Sequence, residues 1–405
     1  MSMPKVSIKE VAVERGLVGG PFGSSLGQKD YSVSGVPVIR GTNLGYGRAL
    51  GGEYVYVSEE KVRNVLARNT AEPGDLVFTQ RGTLGQVALV TNDHFPVYVV
   101  SQSQMRLRVD PSIASAEYLY YACSSSQFFK QIHDNAISTG VPHINLGILS
   151  RLTVPLPELS GQQAIAEVLG ALDNKIAANT ILARMAMELS EKLYSQIIKS
   201  SEIIMKPLGK MATTVLGGTP SRNNLDFWTE GTVPWLNSGK ANEDRIIQPS
   251  EYITTAALER SAAKLMPIGA TVIAITGATL GQVSRLEIEA SGNQSLVGVW
   301  TQDRAVNDWL HFAIHDRIPE LLKKATGAAQ QHVNKRDVDA LEIPCPAPER
   351  LASFAAKASP LLETAAYADH ENLKLAATRD AMLPQLLSGR LRVKDVEKLL
   401  EGAGI

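Results

Sequence analysis

Two stretches of the chain carry a long, regular apolar stripe. From Ile165, the positions Leu169, Leu172, Ile176, Asn179, Ala183, Ala186, Ser190, Leu193 and Ile197 follow at alternating steps of four and three. The same steps link Phe354, Ala358, Leu361, Ala365, Ala368, Asn372, Leu375, Arg379, Met382 and Leu386, each 189 residues beyond its counterpart. A period of 3.5 is that of a coiled-coil seam, so the spacing predicts long helices over roughly 160–200 and 349–388. Forty residues of helix at 1.5 Å each span about 60 Å. Alanine-rich seams let two helices approach closely, and two copies in one chain favour an intramolecular antiparallel pair. Asn179, Asn372 and Arg379 are polar seam positions of the kind that fix register. Pro360 lies inside the second helix, lacks an N–H, and is expected to kink or restart it.

Before each long helix the pattern changes to short apolar runs separated by Gly and Pro, the signature of strands and turns. In the first half these runs are Val36–Ile39, Asp75–Phe78, Gln86–Val90, Val97–Val100 and Met105–Val109, followed by an amphipathic helix over Ala116–Ile132. In the second half they are Val233–Leu236, Thr271–Ile275, Gln282–Leu286 and Leu296–Trp300, followed by a helix over Trp309–Lys324. The order is the same because the chain is duplicated. Thr83-Leu84-Gly85-Gln86-Val87 returns as Thr279-Leu280-Gly281-Gln282-Val283. His143-Ile144-Asn145 returns as His332-Val333-Asn334, and Pro155-Leu156-Pro157 as Pro344-Cys345-Pro346. The expected fold class is α+β: two mixed α/β lobes, each followed by a long helix, the helices pairing as an antiparallel coiled coil.

Composition narrows the classes. The 405 residues are 44% hydrophobic and 20% charged, enough for two to three domains with sizeable cores. Net charge is −1, which excludes a strongly basic nucleic-acid coat protein. Residues 1–157 hold 14 Lys and Arg against 12 Asp and Glu, and residues 206–348 hold 14 against 15. Such near-neutral lobes grip phosphates weakly unaided, so a DNA ligand implies a partner that shares the backbone contacts. The two cysteines, Cys123 and Cys345, are too few for a disulfide framework or a four-thiolate zinc site. The chain shows no apolar run of about 18 residues and no basic-then-apolar leader, so a soluble, cytoplasmic protein is expected, with no membrane partner.

Several chemistries lack their motif. Gly19–Ser24 and Gly217–Ser221 are Gly-rich, but neither ends in the Gly-Lys-Ser/Thr of a nucleotide loop; each reads as a turn opening a sheet. Twenty prolines include no Pro-Pro pair, so the Pro-Pro-aromatic loop of an amino-group methyltransferase is missing. No Gly-x-Ser-x-Gly or His-Glu-x-x-His occurs. His311 and His315 have helical i,i+4 spacing, yet they read as ordinary positions on an amphipathic helix, and no metal is expected.

What remains are polar turns whose side chains suit base edges, present in both halves. Arg forks onto guanine and Asn or Gln onto adenine, while Ser, Thr and backbone N–H groups suit phosphates. In the first half the candidates are Arg40, Thr42 and Asn43 after one strand, Arg81 and Thr83 between two strands, and Gln102 and Gln104 at the start of the last. In the second they are Asn237, Ser238 and Lys240, then Thr276 and Thr279, then Asn293 and Gln294.

These residues also carry a family resemblance. The run Gly217-Gly218-Thr219-Pro220-Ser221, Phe227-Trp228 and Gly231 through Gly239 resembles the opening of a target-recognition domain in specificity subunits of type I restriction–modification systems. Gly277-Ala278-Thr279-Leu280-Gly281, Asn293-Gln294 and His332-Val333-Asn334-Lys335 are similar to further blocks of it. Ala164 through Asn179 resembles the family's central helix and Arg379 through Gly389 its distal helix. Gly19-Gly20-Pro21-Phe22-Gly23-Ser24 departs from the Gly-Thr-Pro-Ser pattern, which leaves the first domain's contacts less defined.

The resemblance implies target-recognition domains over 1–157 and 206–348, a central spacer helix over 158–205, a distal helix over 349–390 and a tail over 391–405. It implies a non-catalytic subunit that binds double-stranded DNA at a bipartite, asymmetric site, the helices setting the gap between half-sites. Two copies of a modification methyltransferase subunit would bring S-adenosylmethionine and methylate adenine. A restriction subunit would bring ATP-driven cleavage, and this chain itself would hold no cofactor. Two other classes stay open: a protein-interaction scaffold with duplicated lobes, and a methyltransferase remnant.

Overall fold

The computed structural model describes residues 3–45, 47–92, 94–138, 140–200, 202–327, 331–393 and 395. The chain divides into two compact units, the first built from two separate segments of sequence and the second from one. Unit 1 comprises residues 1–176 and 374–405, and unit 2 residues 177–373.

Each unit contains two larger sheets and a two-stranded ribbon. In unit 1 the first sheet runs Ala12–Gly19, Gln104–Val109, Leu76–Thr79, Val87–Leu89, all antiparallel. The second runs Tyr31–Ser32, Val55–Val57, Val36–Ile39, Tyr98–Val100, Thr70–Ala71. In it Val36–Ile39 lies parallel to Tyr98–Val100, with Val38 opposite Val99. Unit 2 repeats this plan. Its first sheet orders Thr213–Leu216, Leu296–Trp300, Thr271–Ala274, Val283–Leu286 and then Arg245–Ile246. Its second orders Glu251–Ile253, Val233–Leu236, Ala290–Gly292, Leu265–Met266, again with a parallel central pair, Trp235 opposite Ser291. The Pro-x-Pro strands close both ribbons: Thr153–Pro155 pairs with Lys5–Ser7, and Glu342–Pro346 with Ile203–Pro207.

The long helices run Leu159–Ser200 and Pro348–Leu387. The expected bounds hold to within a residue, and most seam residues are buried, while Ile176, Leu193, Ile197, Leu361 and Met382 are half-buried and the off-seam Tyr194, Leu362 and Leu383 are buried beside them. In unit 1, Ile165 and Leu169 share a core with Leu383, Leu386, Tyr118, Phe128 and Leu149. In unit 2, Ala183 and Ala186 meet Ala365 and Ala368, while Tyr194 packs with Phe354, Ala358 and Leu362. The first helix rises in number as the second falls, so the pair is antiparallel. The polar seam positions all have partners. Asn179 donates to Glu371 Oε2 at 2.6 Å, and Asn372 to Thr180 Oγ1 at 3.2 Å. Arg379 donates to Asp173 Oδ1 at 2.6 Å, whose other oxygen accepts from Tyr121 at 2.6 Å.

Three expectations change. The second helix neither stops nor restarts at Pro360; helical structure is continuous from Pro348 to Leu387. A proline forfeits one hydrogen bond, and packing of the flanking Ala358 and Leu362 outweighs that loss. The single helix over Ala116–Ile132 is two, Ala116–Cys123 and Ser126–Asn135. Ser125 divides them because its hydroxyl accepts from Phe128 N–H and so caps the second. The strands Ala12–Gly19 and Thr213–Leu216 escape the apolar pattern, since both mix exposed and half-buried positions. The tail expected from 391 lies, apart from residues 391–393 and 395, outside the described residues. Among the described residues no helix is long and apolar enough to cross a membrane.

Candidate nucleic-acid interface

Parallel pairing brings the candidate turns together. Because Val36–Ile39 and Tyr98–Val100 run the same way, both chains leave the sheet at one edge. The turns at Arg40–Asn43 and Ser101–Ser103 therefore emerge side by side, with Ser101 N–H donating to the Ile39 carbonyl at 3.0 Å. The loop after Leu76–Thr79 joins them through Gln80 N–H to the Ser103 carbonyl at 2.7 Å. The Gly-rich segment crosses the same turn, where Gly20 N–H donates to the Gln104 carbonyl at 2.9 Å. A Cβ on Gly20 would lie 1.9 Å from the Ser101 oxygen, so only glycine permits this crossing.

Unit 2 builds the same cluster on its own parallel pair. Asn293 N–H donates to the Leu236 carbonyl at 2.9 Å, Ile275 N–H to Ser295 at 2.9 Å, and Gly217 N–H to Leu296 at 2.9 Å. A Cβ on Gly217 would lie 2.2 Å from the Asn293 oxygen. The repeated His-x-Asn blocks close each cluster from behind. Ile144 N–H donates to Gln80 and Val333 N–H to Ile275, each at 3.0 Å. The asparagines then cap the next helix: Asn145 accepts from Ile148 N–H and Asn334 from Asp337 N–H.

The fourteen candidates divide by where their polar atoms go. In unit 1, Thr42, Arg81 and Thr83 are exposed. No carboxylate among the described residues pairs with Arg81. Arg40 is half-buried and donates to the Glu53 carbonyl at 3.3 Å. Gln102 is exposed on one side, but its amide donates to the carbonyls of Gly23 at 2.7 Å and Leu26 at 2.9 Å. Asn43 and Gln104 correct the reading. Both are fully buried, so neither offers its amide to a base edge. Asn43 accepts from Arg40 N–H at 3.0 Å and donates to the Gly51 and Glu53 carbonyls at 2.9 and 3.0 Å, stapling its own loop. Gln104 accepts from Ser101 Oγ and so braces the neighbouring turn.

In unit 2, Asn237 and Gln294 are exposed, whereas Ser238, Lys240, Thr276, Thr279 and Asn293 are half-buried. Asn237 accepts from Gly239 N–H and Asn293 from Ser295 N–H, each through its side-chain oxygen. Lys240 pairs with Glu243 at 2.7 Å, and Thr279 donates to the Thr276 carbonyl at 3.3 Å. Gln294 accepts from Thr219 Oγ1 at 2.6 Å, so in both units a glutamine ties down the Gly-rich segment. Sequence reading missed the clamp beyond it. Arg222 forks onto Glu251 at 2.6 and 2.7 Å and lies 3.5 Å from the Trp228 ring centre, which holds the segment against the sheet. The signal was present as Arg222 close to Trp228, but its carboxylate partner sits far along the chain.

His311 is buried in unit 2, and burial together with the nearby Arg285 cation pulls its pKa down to about 3. It is therefore neutral, and among the described residues no group of His, Cys, Asp and Glu is arranged to hold a metal. The Cys123 thiol is likewise buried, and burial pushes its pKa up.

A family model for the type I restriction modification DNA specificity domain matches residues 27–184 and again 201–350. The chain belongs to that family. The two matched segments are the two halves of the duplication, and the specificity domain thus occurs twice. A specificity subunit of Methanocaldococcus jannaschii, type I restriction enzyme MjaIX, is 23% identical over 377 residues, covering 85% of each chain. The HindI specificity subunit of Haemophilus influenzae is 20% identical over 85% of this chain and 93% of its own length. The Escherichia coli EcoR124I/EcoR124II specificity subunit is 25% identical over 210 residues, so this chain spans about half of that relative, 52%. The crystal structure of a type I restriction–modification S subunit from M. genitalium superposes with a TM-score of 0.61 at 15% identity, covering 95% of this chain and 96% of that one. At that identity the superposition speaks for the fold. Like its relatives, this chain is a specificity subunit of a type I restriction–modification system, the component concerned with DNA sequence.

Proposed function

We propose that each unit reads one half of a bipartite, asymmetric DNA site and that the chain performs no chemistry itself. The observation that carries this reading is the loop cluster: the same backbone scaffold occurs in both units, yet it presents different side chains. A repeated scaffold with unlike tips suits two unlike half-sites. Two copies of a modification methyltransferase subunit would dock on the duplicated chain and supply S-adenosylmethionine for adenine methylation. A restriction subunit would supply ATP-driven cleavage, and no cofactor would reside on this chain.

The near-neutral charge of both units supports a division of labour in which partners provide much of the phosphate grip. It also favours one rival reading, a protein-interaction scaffold that never touches DNA. Mapping methylated adenines in a host that carries this chain with its methyltransferase partner separates the two. A bipartite word that disappears when this chain is omitted supports DNA reading. An unchanged methylation pattern supports the scaffold. The purified chain alone is expected to bind DNA weakly and salt-sensitively, and to transfer no methyl group.

A further inference from the structure

We propose that Phe22 is an aromatic wedge that lies against a base plane of the half-site read by unit 1, an inference that rests on the function proposed above. Phe22 is 86% exposed, an unusual state for a phenylalanine in a chain with only eight. It is not at a loose tip. Gln102 donates to the carbonyls of Gly23 and Leu26, on the far side of Phe22, at 2.7 and 2.9 Å. Gly20 N–H fixes the near side through Gln104, and Ser25 N–H donates to the carbonyl of Phe22 itself at 3.3 Å. A pinned backbone thus holds an apolar ring in water.

The fold does not need this ring. In unit 2 Gly217 occupies the place of Gly20, making the same strand-end hydrogen bond and the same close crossing. Counting two residues onward, Thr219 stands where unit 1 has Phe22, and it serves as a hydrogen-bond partner for Gln294. In unit 1 the glutamine holds backbone instead, which frees the side-chain position for something else. Phe22 also keeps the right company. It rims a cleft with Pro21, Gln80, Arg81, Gln102 and Ser103, which joins an apolar face to the exposed Arg81 guanidinium and the Gln80 amide, the Gln102 amide nitrogen being spent on Gly23 and Leu26. Arg and Gln read base edges, while a phenylalanine offers bases a flat apolar face or a wedge between steps. The cleft therefore combines edge recognition with stacking, and unit 2 lacks the second component at this position.

The test uses the full chain assembled with its methyltransferase partner and the duplex identified by methylation mapping. Phe22→Thr, the residue unit 2 uses, and Phe22→Ala are compared with Phe22→Trp. The first two are expected to weaken binding about 5- to 150-fold, the equivalent of ~1–3 kcal/mol per stacked base. The slope of log affinity against log salt should stay unchanged, because no phosphate contact is lost. Phe22→Trp should retain affinity. 2-Aminopurine placed through the duplex should report unstacking in the half-site of unit 1 with the natural chain and lose that signal with Phe22→Thr. Unchanged affinity in Phe22→Thr and Phe22→Ala overturns the wedge, as does a loss that follows impaired capture of the methyltransferase, which would make Phe22 a protein contact. Failure of the natural complex to bind any duplex is a different result and defeats the DNA reading itself.

Discussion

Asn43 and Arg81 belong to the same loop cluster, yet substitutions at them should fail in different ways. Asn43→Ala strips the Arg40 N–H and the Gly51 carbonyl of their side-chain partner and leaves the Glu53 carbonyl to Arg40 alone. Each buried group left unsatisfied costs about 1–3 kcal/mol, so unit 1 should melt measurably earlier. Arg81→Ala removes an exposed side chain and should leave the melting curve within about 0.5 kcal/mol of the parent. Its effect belongs in the methylation map: a relaxed base in one half-site only, worth about 1–3 kcal/mol if the guanidinium forks onto guanine. Relaxation of both half-sites by Arg81→Ala would contradict separate reading. His311 adds a pH dependence. Its folded pKa, about 3, lies below its ordinary value of 6.5 because burial and the Arg285, His315 and Arg245 charges oppose protonation. As pH falls from about 6.5 towards 3, the unfolded chain takes up a proton that the folded chain refuses, so unit 2 loses stability through that window. Above it this contribution is constant. Denaturant midpoints at pH 7.5 and 5 should differ less in His311→Gln than in the parent. The loop chemistry shows where sequence reading ends: Asn43 and Thr42 are adjacent polar residues in one turn, and only the tertiary fold decides which faces inward. Phe22 meets the same limit: a lone aromatic in a Gly-rich run carries no period, and only the fold shows its ring exposed on a pinned turn.

At the scale of the element, periodicity carries much further. A 3.5-residue stripe sustained through ten positions leaves little choice of helix or face, and most of its positions are buried, with off-seam Tyr194, Leu362 and Leu383 widening the buried face. What the stripe does not disclose is how its polar members are satisfied. Asp173 is off the seam, yet it receives Arg379 and Tyr121 together. Asp173→Asn is expected to destabilise unit 1 by about 1.5–3 kcal/mol, because a charged hydrogen bond is weakened in a half-closed site. The alanines offer a complementary check in unit 2. Ala365 is fully buried against Ala183 and Ala186, so Ala365→Leu should overpack that contact and cost about 1–3 kcal/mol. A neutral Ala365→Leu in thermal melts would mean that the helices can separate there at no cost. Short strands were harder to read. Val36–Ile39 and Val233–Leu236 are apolar runs and declare themselves. Ala12–Gly19 has one buried position, Gly16, with Leu17, Val18 and Gly19 half-buried, and it pairs through backbone hydrogen bonds that leave no pattern in the sequence.

For the whole molecule, the duplication is the most legible feature, because one identical five-residue block and two near matches return in one order at similar spacing. It predicts modular behaviour. Under the proposed function, inserting one heptad into both long helices adds about 10 Å to each. That corresponds to about three base-pair steps of 3.4 Å. The two words in the methylation map should survive while the gap between them grows; altered words with an unchanged gap would rule out the helices as a spacer. The division into units has a further consequence, for synthesis. Unit 1 draws its core from residues between Ile8 and Leu169 and, more than two hundred residues later, from Leu383, Leu386 and Leu387. A ribosome releasing about 5–20 residues per second needs roughly 10–40 s to travel from residue 176 to residue 387. Throughout that interval the first unit to be made waits with its helix face bare, while unit 2, encoded between, is completed at residue 373, before the segment that finishes unit 1. The half begun first is therefore the half finished last, and any stop codon before the final turns of the last helix would strip apolar cover from a domain specified almost entirely upstream.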